Sequence, residues 1–109
     1  MGKGNYQSLD ELLHSRIRLA AVSILVNVKE IDFPSLRNQV GATDGNMNAH
    51  LKKLELAGYI SVNKHFEGRK PVTSYKLTAE GLEGFKNYVR TLEGFIRPDD
   101  RGEKEEICD

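Results

Sequence analysis

The run Ile17-Arg18-Leu19-Ala20-Ala21-Val22-Ser23-Ile24-Leu25-Val26-Asn27-Val28 is apolar on nearly every side. Ile17, Ala21, Ile24 and Val28 form one stripe at helical spacing, and Leu19, Val22 and Val26 form another. A helix with two apolar faces must bury both, which in a chain of 109 residues implies contact with a second subunit. Upstream, Leu9, Leu12 and Leu13 are spaced for a short amphipathic turn-and-a-half, so residues 1–14 are expected to hold at most a short helix. Downstream, Ile31-Asp32-Phe33 is briefly extended. Pro34 then suits the first turn of a short helix reaching Val40, and Gly41 stops it.

Thr43 is a good N-cap for a helix over Asp44–Ala57, with Asp44 placed to favour the helix dipole. Met47, Leu51, Leu54 and Ala57 keep helical spacing with His50 beside them, and Gly58 ends the run. Tyr59–Phe66 alternates as a strand, Glu67-Gly68-Arg69-Lys70-Pro71 reads as a turn, and Val72–Leu77 returns. Thr78 caps a last helix with Leu82, Phe85, Val89, Leu92 and Ile96 along one face. Tyr88 and Phe95 widen that face beyond what a core alone needs. The expected fold class is α+β and mostly helical.

Composition excludes several classes. With 39% apolar and 29% charged residues the chain is an ordinary globular domain. Its longest apolar run, Leu19-Ala20-Ala21-Val22, falls far short of the roughly 20 residues of a membrane span. The N-terminus has no hydrophobic stretch of a secretory signal, and Tyr6 stands where myristoylation requires Ser or Thr. One cysteine, Cys108, rules out a disulfide framework and a cysteine-based metal site. Its acidic neighbours Glu105, Glu106 and Asp109 do not favour a reactive thiolate. A cytoplasmic location is expected.

Chemistry-bearing motifs are equally scarce. No Gly-rich phosphate loop and no Gly-x-Ser-x-Gly elbow occurs. His14, His50 and His65 lack the paired spacing of zinc ligands. Neither an enzyme nor a cofactor is expected. His50, on the inner side of its helix, is expected to be a buried, hydrogen-bonded structural residue.

Sixteen bases and sixteen acids cancel, but not evenly. The last twelve residues, 98–109, hold six acids and two bases, which leaves residues 1–97 with fourteen bases against ten acids. Residues 43–77 alone carry six bases and three acids. A basic body, residues 15–97, is thus followed by an acidic tail expected to be solvated and disordered.

The two middle helices are joined by Gly41-Ala42-Thr43, the length and composition of a helix-turn-helix. Three helices closed by a hairpin make the winged helix-turn-helix arrangement. The stretch Thr43 to Leu54, followed by Ala57-Gly58-Tyr59-Ile60, resembles the recognition helix of winged-helix transcriptional regulators, most closely the short branch related to the MarR and ArsR groups. The wing Lys64–Pro71 and the closing Thr73–Gly81 are similar to that branch as well, and the resemblance covers residues 15–93. It implies a three-helix core, a β-hairpin wing and a C-terminal dimerisation helix.

It also implies a sequence-specific regulator of double-stranded DNA, with repression requiring least of so small a protein. The second helix of such a motif enters the major groove. With Met47, Leu51 and Leu54 committed to the core, Gly45, Asn46, Asn48, Ala49, Lys52 and Lys53 face outward, beside Thr43 and Asp44 at the helix start. Asparagine can bond adenine bidentately, and small residues permit close approach and thymine-methyl contact. Lys52 and Lys53 suit phosphates. Arg69 and Lys70 at the wing tip, with Lys64 behind them, suit flanking phosphates or a narrow minor groove.

The modest charge implies weak binding per subunit and hence a homodimer. Its expected surface joins Leu19, Val22 and Val26 to Phe85, Tyr88, Val89, Leu92 and Phe95. No residue points to a small-molecule effector. The competing expectation is a winged-helix protein–protein interaction module, which the balanced charge and acidic tail favour and the basic stripe on helix and wing opposes.

Overall fold

The computed structural model describes residues 10–96. Its elements are α1 (Arg16–Val26), β1 (Ile31–Asp32), α2 (Phe33–Val40), α3 (Asp44–Leu56), β2 (Ile60–Glu67), β3 (Lys70–Leu77) and α4 (Ala79–Ile96). β3 pairs antiparallel with both other strands, giving the sheet order β1-β3-β2. This is the expected α+β winged helix-turn-helix.

Local chemistry sets each boundary. Ser15, extended at φ −142°, takes the amide of Arg18 on its hydroxyl and starts α1. α1 stops two residues earlier than its hydrophobic pattern suggests. Asn27 caps it, bonding back to the carbonyls of Ile24 and Leu25, so Val28 lies outside the helix and is exposed. Gly41, at φ +81°, ends α2 in the left-handed conformation, and Thr43 Oγ1 accepts the amide of Asn46 to begin α3.

α3 closes with paired bonds from Gly58 to Glu55 and from Tyr59 to Leu54. That cap consumes the amide of Tyr59, so β2 begins at Ile60 rather than Tyr59. The hairpin is also tighter than expected. Its ladder runs to Glu67↔Lys70, leaving a two-residue turn of Gly68 and Arg69 where a five-residue turn is predicted. Phe33 opens α2 instead of extending β1.

The core gathers Leu13, Ala21, Val22, Leu25, Leu36, Met47, Leu51, Leu54, Ile60, Tyr75 and Tyr88. Two members revise the sequence expectations. Leu25, on neither predicted stripe, is fully buried. Leu13 is completely buried although its segment is not helical. Asp10 Oδ1 captures the amide of Leu12, and bonds from Leu13 and His14 to the carbonyls of Asp10 and Glu11 make a turn instead. Leu9, Cys108 and the tail 98–109 lie outside the described residues.

Residues 10–14 are tied down on three sides. Tyr59 donates its hydroxyl to Asp10, Arg18 Nε donates to the carbonyl of Leu12, and His14 Nδ1 lies 3.1 Å from the Tyr88 hydroxyl. Burial and the Asp10 bond push the Tyr59 hydroxyl up to about 12, so it remains a donor. Tyr59 in turn sits against α4 at Gly81 and Gly84, and Thr78 Oγ1 bridges the carbonyl of Gly58 to the amide of Gly81.

The expected dimer surface divides. Val22 is fully buried in the core, and Tyr88, 5% exposed, bonds His14; both are occupied within the chain. Leu19 and Phe85 are half-buried against the core. Val26, Val89 and Leu92 are exposed, and Phe95 is half-buried.

Candidate nucleic-acid interface

α3 divides cleanly between core and solvent. Met47, Leu51 and Leu54 point inward, all at 3% exposure or less. Thr43, Asp44, Gly45, Asn46, Asn48, Ala49, Lys52 and Lys53 are all exposed, as are Lys64, Arg69 and Lys70 on the hairpin. Each residue expected to contact DNA is therefore open to a partner.

The hairpin presents two chemically different sides. Strand alternation puts Val62 and Lys64 of β2, with Thr73 and Tyr75 of β3, on the side turned to α3. Those four line one groove with Asn48, Leu51, Lys52 and Glu55, which brings Asn48, Lys52 and Lys64 together from separate elements. The opposite side gathers Glu30, Asp32 and Glu67 around Asn63, His65 and Ser74, with Lys70 paired across from Glu67. Hydrogen bonds from Ser74 and then Asn63 hold the Glu30 carboxyl below the usual carboxylate range. His65 Nε2 lies 3.4 Å from Glu67, while its buried Nδ1 has no partner.

Charge pairing sharpens the contrast. Among the described residues, Lys52, Lys53, Lys64, Arg69 and Lys70 form no ion pair. Asp44, by contrast, is engaged by Arg37 of α2 at 2.5 Å. An exposed pair contributes little to stability. Its effect is local, setting a guanidinium beside the start of α3 and offsetting the one carboxylate that would repel a phosphate there. Arg37 was legible only as a base near the end of the first helix of the motif. Glu55 is the acid left in the groove. Burial first, and then Glu55, raises the Tyr75 hydroxyl above its ordinary value.

His50 is half-buried rather than buried. Its Nδ1 accepts from Arg18 Nη1 at 2.8 Å, joining α3 to α1 and requiring the neutral imidazole with its proton on Nε2. Burial, then the nearby Arg18 and Lys53 charges, lowers its pKa from the ordinary 6.5.

A family model described as a winged helix DNA-binding domain matches residues 17–96, most of the chain. The chain belongs to that family. Within this winged helix domain α3 is the second helix of the helix-turn-helix and the β2–β3 hairpin the wing. A relative from Methanocaldococcus jannaschii, the uncharacterized protein MJ0432, is 32% identical over 79 residues, covering 72% of this chain and 86% of its own. The structure of a transcriptional regulator homologue from Pyrococcus horikoshii OT3 superposes with a TM-score of 0.79 at 24% identity, over 88% of this chain and 95% of that one. A putative MarR-like transcription regulator from Bacillus cereus superposes with a TM-score of 0.64 at 18% identity, over 84% and 68%. At these identities the solved structures share the winged-helix fold. No helix among the described residues is long and apolar enough to cross a membrane.

Proposed function

We propose that the protein is a sequence-specific regulator that binds double-stranded DNA as a homodimer and represses by occupying a promoter. The recognition helix enters the major groove, and the wing lies on the flanking backbone or in the minor groove. The observation that carries this is the convergence of exposed cations and asparagines: Asn48, Lys52 and Lys64 line one groove, with Asn46 and Lys53 on the same helix and Arg69 and Lys70 at the wing tip. Asn46 and Asn48 read base edges, while the lysines neutralise phosphates. The side of the wing that carries Glu67 faces away from the duplex, which orients the domain on it.

The test is fluorescence-anisotropy titration on DNA from the protein's own upstream region, at two salt concentrations with random-sequence competitor. Saturable, competitor-resistant binding is expected, with log affinity falling about 0.9 per phosphate neutralised for each unit of log salt. Binding that is weak and insensitive to salt would sink this assignment and favour a protein–protein interaction module.

A further inference from the structure

The side of the wing that carries Lys64 ends in two apolar residues. Alternation along β2 continues Val62 and Lys64 to Phe66, and across the ladder Tyr75 and Thr73 continue to Pro71, which pairs directly with Phe66. Phe66 and Pro71 therefore extend the groove-lining side outward to the wing tip. Phe66 is 71% exposed and Pro71 is exposed, so neither supports the core. Without an N–H, Pro71 cannot donate across the ladder, so the pair is of the close, non-hydrogen-bonded kind with Cα atoms about 4.5 Å apart. Proline is tolerated here because β1 pairs with β3 only at Tyr75 and Ser74, leaving the other edge of β3 free at Pro71.

The surroundings say what such a pair meets. Lys64 lies two residues back on the same side and Arg69 follows in the turn, whereas Lys70 pairs across the ladder with Glu67. Glu67 is on the opposite side, near His65. An aromatic flanked by Lys64 and Arg69, with the local acid turned away, fits a polyanion that also offers an apolar surface. Duplex DNA offers that surface between its base pairs. Phenylalanine and proline are among the side chains that enter the minor groove, unstack adjacent base pairs and kink the duplex.

We infer that Phe66, backed by Pro71, is an apolar wedge that enters the minor groove beside the site read by the recognition helix and bends the DNA. This rests on the DNA-binding function proposed above. Lys64 and Arg69 hold the phosphates around the wedge. Pyrimidine–purine steps unstack most easily, so the wing selects a deformable step at a position where no polar group reads a base.

The full chain is titrated against the labelled duplex it binds best, following affinity, its salt dependence and DNA bending by end-to-end energy transfer. Phe66→Ala is expected to weaken binding about tenfold, the order found when an aromatic–base contact is lost. It abolishes the bend and leaves the salt slope unchanged, because no phosphate contact is removed. Phe66→Leu keeps most of the bend, whereas replacing Arg69 and Lys70 by alanine lowers the salt slope. The high exposure of Phe66 makes these variants compatible with folding, which circular dichroism checks. If the wild type binds but Phe66→Ala binds and bends the duplex equally well, the wedge is overturned and the DNA-binding function stands. If the wild type binds no duplex, both fall. If Phe66→Ala instead changes the sedimenting mass, Phe66 is a contact between copies and the wedge is overturned.

Discussion

Gly45 and Gly81 both sit in the first turn of a helix, and their surroundings assign them opposite tasks. A Cβ on Gly45 would meet nothing within 4 Å, so nothing in the fold requires glycine there. A Cβ on Gly81 would collide with the Tyr59 carbonyl and lie 2.8 Å from Leu77, and one on Gly84 would lie 2.6 Å from the Tyr59 hydroxyl. Gly81→Ala should therefore destabilise by about 1–3 kcal/mol, the usual range for overpacking. Gly45→Ala should stabilise by about 0.5 kcal/mol through helix propensity while weakening DNA binding, if the duplex approaches the helix start closely. Urea denaturation and anisotropy on the two variants separate these effects, and a Gly45→Ala protein with full affinity would remove Gly45 from the interface. His50 makes a second prediction. Its folded pKa is lowered, so above 6.5 both folded and unfolded states are neutral and the Arg18 bond is intact. Below that, the unfolded chain takes up the proton first, and stability is lost as pH falls through the folded pKa. Unfolding free energies at pH 7.5 and 5.5 should show this drop, and it should shrink in His50→Gln. Glu30, whose lowered pKa acts only below 4.5, does not contribute in that window.

At the scale of elements, what was legible depended on how local the cause was. Caps and glycine stops act within a turn, so the two helices of the helix-turn-helix appeared with nearly their observed limits. The outward face of the recognition helix followed from the inward spacing of Met47, Leu51 and Leu54 alone. The two-residue wing turn was hidden because Lys70 and Pro71 look like loop residues until pairing with Glu67 and Phe66 is known. The Arg37–Asp44 pair and the groove between α3 and the wing depend on how elements pack, which no spacing reveals. Residues 10–14 are the sharpest case. Their apolar spacing suggests a separate helical turn, whereas Asp10 diverts the backbone and Leu13 fills the core between other elements. Leu13→Ala should accordingly cost about 2–5 kcal/mol, as for other fully buried leucines. An effect on the chemical-denaturation midpoint below about 0.5 kcal/mol, the size of a surface change, would place the segment outside the cooperative unit.

For the whole molecule, the proposed function requires a chain of balanced net charge to hold a specific site. Few cations line the proposed interface, and each neutralised phosphate adds only a salt-dependent increment. In the proposed homodimer two copies acting together supply the remainder, with recognition helices about 34–36 Å apart. The structure narrows where pairing can occur. Val22 and Tyr88 belong to the interior, which leaves the outer face of α4, with Val89 at 37% and Leu92 at 38% exposure, and Val26 at the end of α1. A charge placed at Leu92 would be solvated in a monomer and desolvated in a dimer, so Leu92→Asp tests the interface while leaving the core untouched. Sedimentation at micromolar concentration should give twice the chain mass for the wild type and the single mass for Leu92→Asp, with equal helical content. On DNA the wild type should lose affinity steeply when either half-site is scrambled. The variant should bind weakly and barely notice the second half-site. A Leu92→Asp protein that still sediments as a dimer would move the interface away from α4. A monomeric wild type that nonetheless binds tightly would show that one recognition helix and one wing suffice.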